Sequence, residues 1–155
     1  MSKPGRNAAA CDMSALGAAV LSTQSDATVA ANKEGIIFYW NPDAERMFGY
    51  DSGQALGQSL DIIIPERLRK RHWEGFSHVM NGGRSRYESG DVLAVPAVRR
   101  DGTQISVEFT LVPLRGDTRV LTGLAAIMRD VTKRFEEIRG LKKRLADTAG
   151  PAGSR

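Results

Sequence analysis

The chain has 155 residues, 41% hydrophobic and 26% charged, which is the make-up of one globular domain with room for terminal extensions. A single cysteine, Cys11, excludes an internal disulfide, and one thiol with two histidines cannot complete a four-ligand zinc site of the usual kind. The net charge of +4 resides in the last 25 residues, seven basic against three acidic, so residues 1–130 balance and form no cationic nucleic-acid platform.

Residues 1–12 carry no period and read as a loose terminus. Asp12 interrupts the apolar run from Ala8 to Leu21 behind Lys3 and Arg6, which argues against a secretion signal. No run reaches the roughly 20 apolar residues of a membrane span, so the cytoplasm is the expected compartment. Leu16, Val20 and Leu21 fit a short helix within Met13 to Gln24. Ala27–Ala31 and Ile36–Trp40 flank the polar turn Asn32-Lys33-Glu34-Gly35 and predict a hairpin. Asn41-Pro42 then opens a helix, because Asn caps a first turn and Pro fits its first position; Gly49 closes it.

Leu60–Ile64 is a short apolar run stopped by Pro65. Glu66 to Met80 predicts an amphipathic helix with Leu68, His72, Phe76 and Val79 on one face, ended by Asn81-Gly82-Gly83. Its charge run Arg67, Arg69, Lys70 and Arg71 reads as a solvated shoulder, and His78 lies off the apolar stripe. Three strand-like runs follow, Asp91–Val98, Thr103–Leu114 and Val120–Met128, separated by turns at Arg100-Asp101-Gly102 and Arg115-Gly116-Asp117. In the middle run apolar and polar residues alternate, so one face is buried and the other wet. Glu108 falls on the wet face with no evident partner.

The last segment spaces Val131, Phe135, Ile138, Leu141 and Leu145 three or four apart on one stripe. That is too short for a self-sufficient coiled coil, so it either folds back on its own sheet or meets a second copy in a homodimer. Strands at both ends with helices between predict an α+β domain: a curved five-stranded antiparallel sheet, helices on one face and an exit helix. The expected divisions are an extension 1–24, a domain 25–132, a signalling helix 133–148 and a tail 149–155.

From Ser25 to Thr132 the chain resembles the PAS family. The resembling pieces are Gly35-Ile36-Ile37, Trp40-Asn41-Pro42-Asp43-Ala44-Glu45-Arg46-Met47-Phe48-Gly49-Tyr50, Ile62-Ile63-Ile64-Pro65, Arg99-Arg100-Asp101-Gly102-Thr103 with Val107-Glu108-Phe109, and Arg129-Asp130-Val131-Thr132. Five such pieces in order over about a hundred residues are specific where each alone is weak. The resemblance implies a sensory module whose concave sheet holds a ligand, a cofactor or simply a core, and whose exit helix carries output to a separate effector such as a kinase or transcriptional regulator. Asp130 and Thr132 would then mark the signalling junction, where short oxygen side chains suit a helix cap.

The expected pocket wall is Leu93, Val95, Ile105, Val107, Phe109, Leu111, Leu124, Ala126 and Met128, with Leu68, His72 and Phe76 facing it from the helix. So apolar a wall suits a small hydrophobic ligand or a flat porphyrin. The cofactor is not fixed by these residues. A flavin photo-adduct is disfavoured because Cys11 lies outside the matched region. Arg71-His72 resembles the histidine-bearing helix of haem-binding oxygen-sensor PAS domains, which makes His72 the candidate axial ligand of haem b. Those sensors place an arginine on the facing strand, where this chain has Val92 to Val95. No catalytic triad, phosphate loop or metal cluster is present in the sequence, so an enzyme is not expected. The remaining alternative is a ligand-free adaptor for protein or nucleic acid that uses the basic tail, direct nucleic-acid binding being the less expected.

Overall fold

The computed structural model describes residues 12–22, 25–82 and 94–150. An apolar helix, α1 (Met13–Leu21), is capped by the Asp12 carboxylate, which accepts from the Ser14 amide. Strands β1 (Ala27–Asn32) and β2 (Ile37–Trp40) form the first hairpin, antiparallel with a bulge at Ala30/Ala31. Helix α2 (Pro42–Phe48) starts at Asn41 as expected and ends at Gly49, whose φ of 80° is the left-handed conformation that glycine adopts without a Cβ penalty. A short α3 (Ser52–Ala55) with a capping box and a 3₁₀ turn (Leu60–Ile63) follow.

The predicted helix from Glu66 divides in two. Glu66–Leu68 is a 3₁₀ turn, and α4 runs only from Arg69 to Met80. Pro65, which lacks an amide proton, sits where a side-chain cap would be, and no side chain caps either segment, so the first turn tightens. Leu68 therefore lies ahead of the α-helix rather than on it.

Strands β3 (Val95–Val98), β4 (Gln104–Arg115) and β5 (Leu121–Asp130) complete a five-stranded antiparallel sheet in the order β2-β1-β5-β4-β3. Its first strand in sequence thus lies beside its last. Of the strand expected from Asp91, residues 91–93 lie outside the described residues, and so does Leu93. The expected alternation in β4 holds: Ile105 and Val107 are buried, whereas Thr110 and Val112 are exposed.

The main core joins β1, β2, α2 and the sheet centre through Val29, Ile37, Trp40, Phe48, Ile105 and Met128, with Phe48 fully enclosed. Enclosing a side chain of that size contributes about 2–3 kcal/mol. A smaller core unites Phe76 and Val79 of α4 with Leu124 of β5, flanked by Leu60, Trp73 and Met80.

Helix α5 (Thr132–Thr148) does not fold back on the sheet, and among the described residues none from Lys133 onward is buried. It is tied to β4 at its start. The Ser106 amide donates to Thr132 Oγ1 at 2.9 Å, and Arg134 pairs with Glu108, which corrects the expectation that Glu108 has no partner.

Candidate functional site

Cross-strand register places the expected wall on one face of the sheet. Val95 lies opposite Val107, Phe109 opposite Met128 and Leu111 opposite Ala126. Because side chains alternate along a strand, these residues share the side occupied by the helices. They are not equally covered. Ile105, Val107 and Met128 are consumed by the main core and Leu124 by the smaller one, whereas Val95, Phe109, Leu111 and Ala126 stay half-buried. The sequence expectation of one continuous lining thus separates into fully buried members and half-buried ones, of which Val95, Phe109 and Ala126 pack against the main core.

Helix α4 presents His72, Trp73, Phe76 and Val79. The His72 ring meets Trp73 edge-on at 4.8 Å between centroids and Phe76 at 6.1 Å. Its Nδ1 is buried with no hydrogen-bond partner among the described residues. Burial pushes the imidazole below its ordinary value of 6.5, partly opposed by the Asp61 carboxylate. Asp61 is itself held: Oδ1 accepts from Trp73 Nε1 at 2.8 Å, and its carbonyl accepts from Arg69 Nη2 at 3.3 Å. The arrangement keeps a neutral imidazole with an unused nitrogen in an apolar setting. Leu68 is half-buried and belongs to neither core, and His78 is exposed.

A histidine held neutral by the fold stabilises the folded state while it stays neutral and costs stability once the unfolded chain gains a proton that the fold resists. The ligand-free protein should therefore lose melting temperature as pH falls below about 6.5, a window above that of its carboxylates. In His72→Gln that slope should flatten. An unchanged slope would show that His72 is not the group responsible.

The junction residues are bonded differently from the cap expected of them. Asp130 Oδ1 accepts from the Thr132 amide at 2.9 Å and from Thr132 Oγ1 at 2.6 Å, and Oδ2 accepts from Arg99 Nη2 at 3.0 Å. Burial opposes the Asp130 charge, but the bonds from Thr132 and Arg99 outweigh it and hold the carboxyl below the usual range. Thr132 is the first helical residue rather than the cap, because its hydroxyl is committed to β4. Sequence reasoning missed the neighbouring pair, in which Arg129 donates to both oxygens of Asp26 at 2.7 and 3.1 Å, since 103 residues separate the two.

Of the residues expected to form an intermolecular seam, Val131 is buried against its own domain, while Phe135, Ile138, Leu141 and Leu145 are exposed. Two open clefts, of about 630 and 610 Å³, lie elsewhere: one at the Asp26–Arg129 end of the sheet, the other between Pro65 and Gln104. Neither is lined by His72. Among the described residues no group of three His, Cys, Asp or Glu could hold a metal ion, and no helix is long and apolar enough to cross a membrane.

The family model described as PAS domain matches residues 25–133. Oxygen sensor protein DosP of Escherichia coli is 30% identical over 104 residues, which cover 67% of this chain and 13% of that protein. Sensor protein FixL of Bradyrhizobium diazoefficiens is 30% identical over 123 residues, covering 74% and 22%. The chain thus spans less than a quarter of the length of these curated relatives. Among solved structures, the PAS domain of a protein from Colwellia psychrerythraea superposes with a TM-score of 0.68 at 26% identity, over 79% of this chain and 99% of that one. An RNA-binding light-oxygen-voltage receptor gives 0.65 at 22% identity, over 94% and 40%, which is a likeness of fold.

Proposed function

This chain belongs to the PAS domain family, a family of sensory modules, and from that membership we propose that it senses through haem b held on His72 and reports through α5 to a separate effector protein. The observation that carries this reading is the buried, unpartnered Nδ1 of His72, set against the rings of Trp73 and Phe76 on a helix that packs on Leu124 of the sheet. Such a site suits a flat apolar group that takes one axial nitrogen. The likeness to a named oxygen sensor and to a second sensor protein supports the same direction. When bound, haem supplies an iron that takes a diatomic gas or changes oxidation state.

The chain's own residues do the rest. Burial favours the neutral His72 imidazole and so its availability to a metal, while the Trp73 and Phe76 rings against it provide an apolar setting. Asp130, Arg99, Thr132 and Ser106 bind the end of β5 and the start of α5 to β4, so a shift of the sheet is passed to the helix. Dimerisation uses α1, an uncharged helix whose Met13, Leu16 and Val20 are exposed, together with exposed Phe38 of β2. Tyr39 Oη donates to the Leu21 carbonyl at 3.1 Å and holds α1 against that edge strand. The expected setting is the cytoplasm.

Protein reconstituted with haem should show a Soret band that His72→Ala weakens by at least about tenfold in affinity, since an axial ligand is worth several kcal/mol. No band, or one indifferent to His72→Ala, would overturn the haem reading. Native mass spectrometry of the same sample reads the copy number.

A further inference from the structure

We propose that the exposed face of α5 docks onto an acidic amphipathic helix of a partner protein, and not onto the α5 of a second copy. Phe135, Ile138, Leu141 and Leu145 are 44, 44, 52 and 69% exposed. At 100° per residue they fall within about 120° of one another, a width suited to covering by one neighbouring helix. A 17-residue helix with nothing buried is marginal by itself, so this face gains most from a cover.

Charge decides which cover fits. Lys142 projects within the apolar stripe, between the directions of Ile138 and Phe135, while Arg139 lies on one flank and Glu137 with Arg144 on the other. Thr132–Thr148 holds six basic residues against three acidic, a net +3. A parallel pair of identical helices would bring the two Lys142 ammonium groups together inside the seam, a lysine placement that costs stability and selects partners. An antiparallel pair would still set +3 against +3 within a Debye length. A partner helix with a glutamate in its seam and acidic flanks answers both problems, by attraction to this helix and by repelling others like itself.

Glu136 and Asp147 on the far face, with Glu137 at the edge of the stripe, separate α5 from lipid-surface helices, whose polar face is dominated by Lys and Arg. Nucleic acid would use the cations and leave the apolar stripe uncovered.

The test uses a labelled peptide of about three heptads with Ile and Leu in its seam, one glutamate at a central seam position and glutamates on the flanks, read by fluorescence anisotropy. Its control has lysine at every glutamate. The full chain should bind the acidic peptide at least about tenfold more tightly than the basic one, the scale of one well-placed charge pair. Lys142→Glu should erase that preference, and Ile138→Asp should abolish binding with the melting temperature unchanged, because both positions are exposed. Equal affinity for the two peptides, tighter binding to phosphatidylserine vesicles or duplex DNA, or a preference that survives Lys142→Glu would each overturn the proposal. So would formation of a disulfide dimer by Ile138→Cys in a Cys11→Ser background. None of these readouts depends on haem.

Discussion

Asn41→Ala is expected to destabilise the domain by about 3–4 kcal/mol, the sum of a lost helix cap near 1 kcal/mol, one further buried hydrogen bond and one part-buried one. Asn41 is 2% exposed and its Oδ1 accepts from two amides, Ala44 at 2.9 Å and Thr28 at 2.8 Å. Its Nδ2 donates to the Asp26 carbonyl at 2.8 Å. One side chain thus starts α2 and fastens α2 to the beginning of β1. Removing it leaves the buried Thr28 amide without its acceptor, and that desolvation is the larger part of the cost. For a chain of this length the melting temperature should fall by about 10 °C. Asn41→Ser separates the contributions, because a shorter hydroxyl can still cap α2 but cannot reach both strand groups. If Ala and Ser variants both lose only about 1 kcal/mol, the link to β1 contributes nothing.

Gly35→Ala should cost about 3 kcal/mol, roughly 1 from the left-handed backbone and the rest from moving Trp73. Gly35 has φ 78°, and a Cβ there would come within 2.1 Å of Trp73 Cη2. The indole cannot withdraw freely: its Nε1 donates to Asp61 and its ring lies edge-on to Phe76 at 5.3 Å between centroids. Displacing it would also disturb His72, the preceding residue on α4, whose ring it meets edge-on. In a Trp73→Leu background the same substitution should cost only the backbone component of about 1 kcal/mol, a coupling readable by urea denaturation in a double-mutant cycle. Equal costs in both backgrounds would mean that the indole does not press on the turn.

These two positions show how far the sequence was legible. Asn41 could be named as a cap because Asn-Pro before acidic residues satisfies local backbone demands within four residues. Its bonds to Thr28 and Asp26 could not, since they depend on where β1 lies. Gly35 was expected in a turn, but nothing in Lys33-Glu34-Gly35 announces an indole from residue 73. His72 was placed on the inward stripe by periodicity, whereas the loss of Leu68 from α4 followed from the missing cap after Pro65. Alternation put the described members of the candidate wall on one face of the sheet, as the strand register has them. Which members are fully buried and which only half-buried was decided by how the helices settle on the sheet.

What the amino-acid order determined alone is therefore the set of elements, their faces and their ends, because periodicity, caps and turn residues act over a few positions along the chain. Tertiary structure decided the neighbours. The strand order β2-β1-β5-β4-β3 sets Asp26 beside Arg129, and the course of α5 brings Arg134 to Glu108 and leaves the rest of the helix uncovered. Such pairings connect residues that the chain keeps far apart, and they exist only once the sheet has assembled and burial has brought them together.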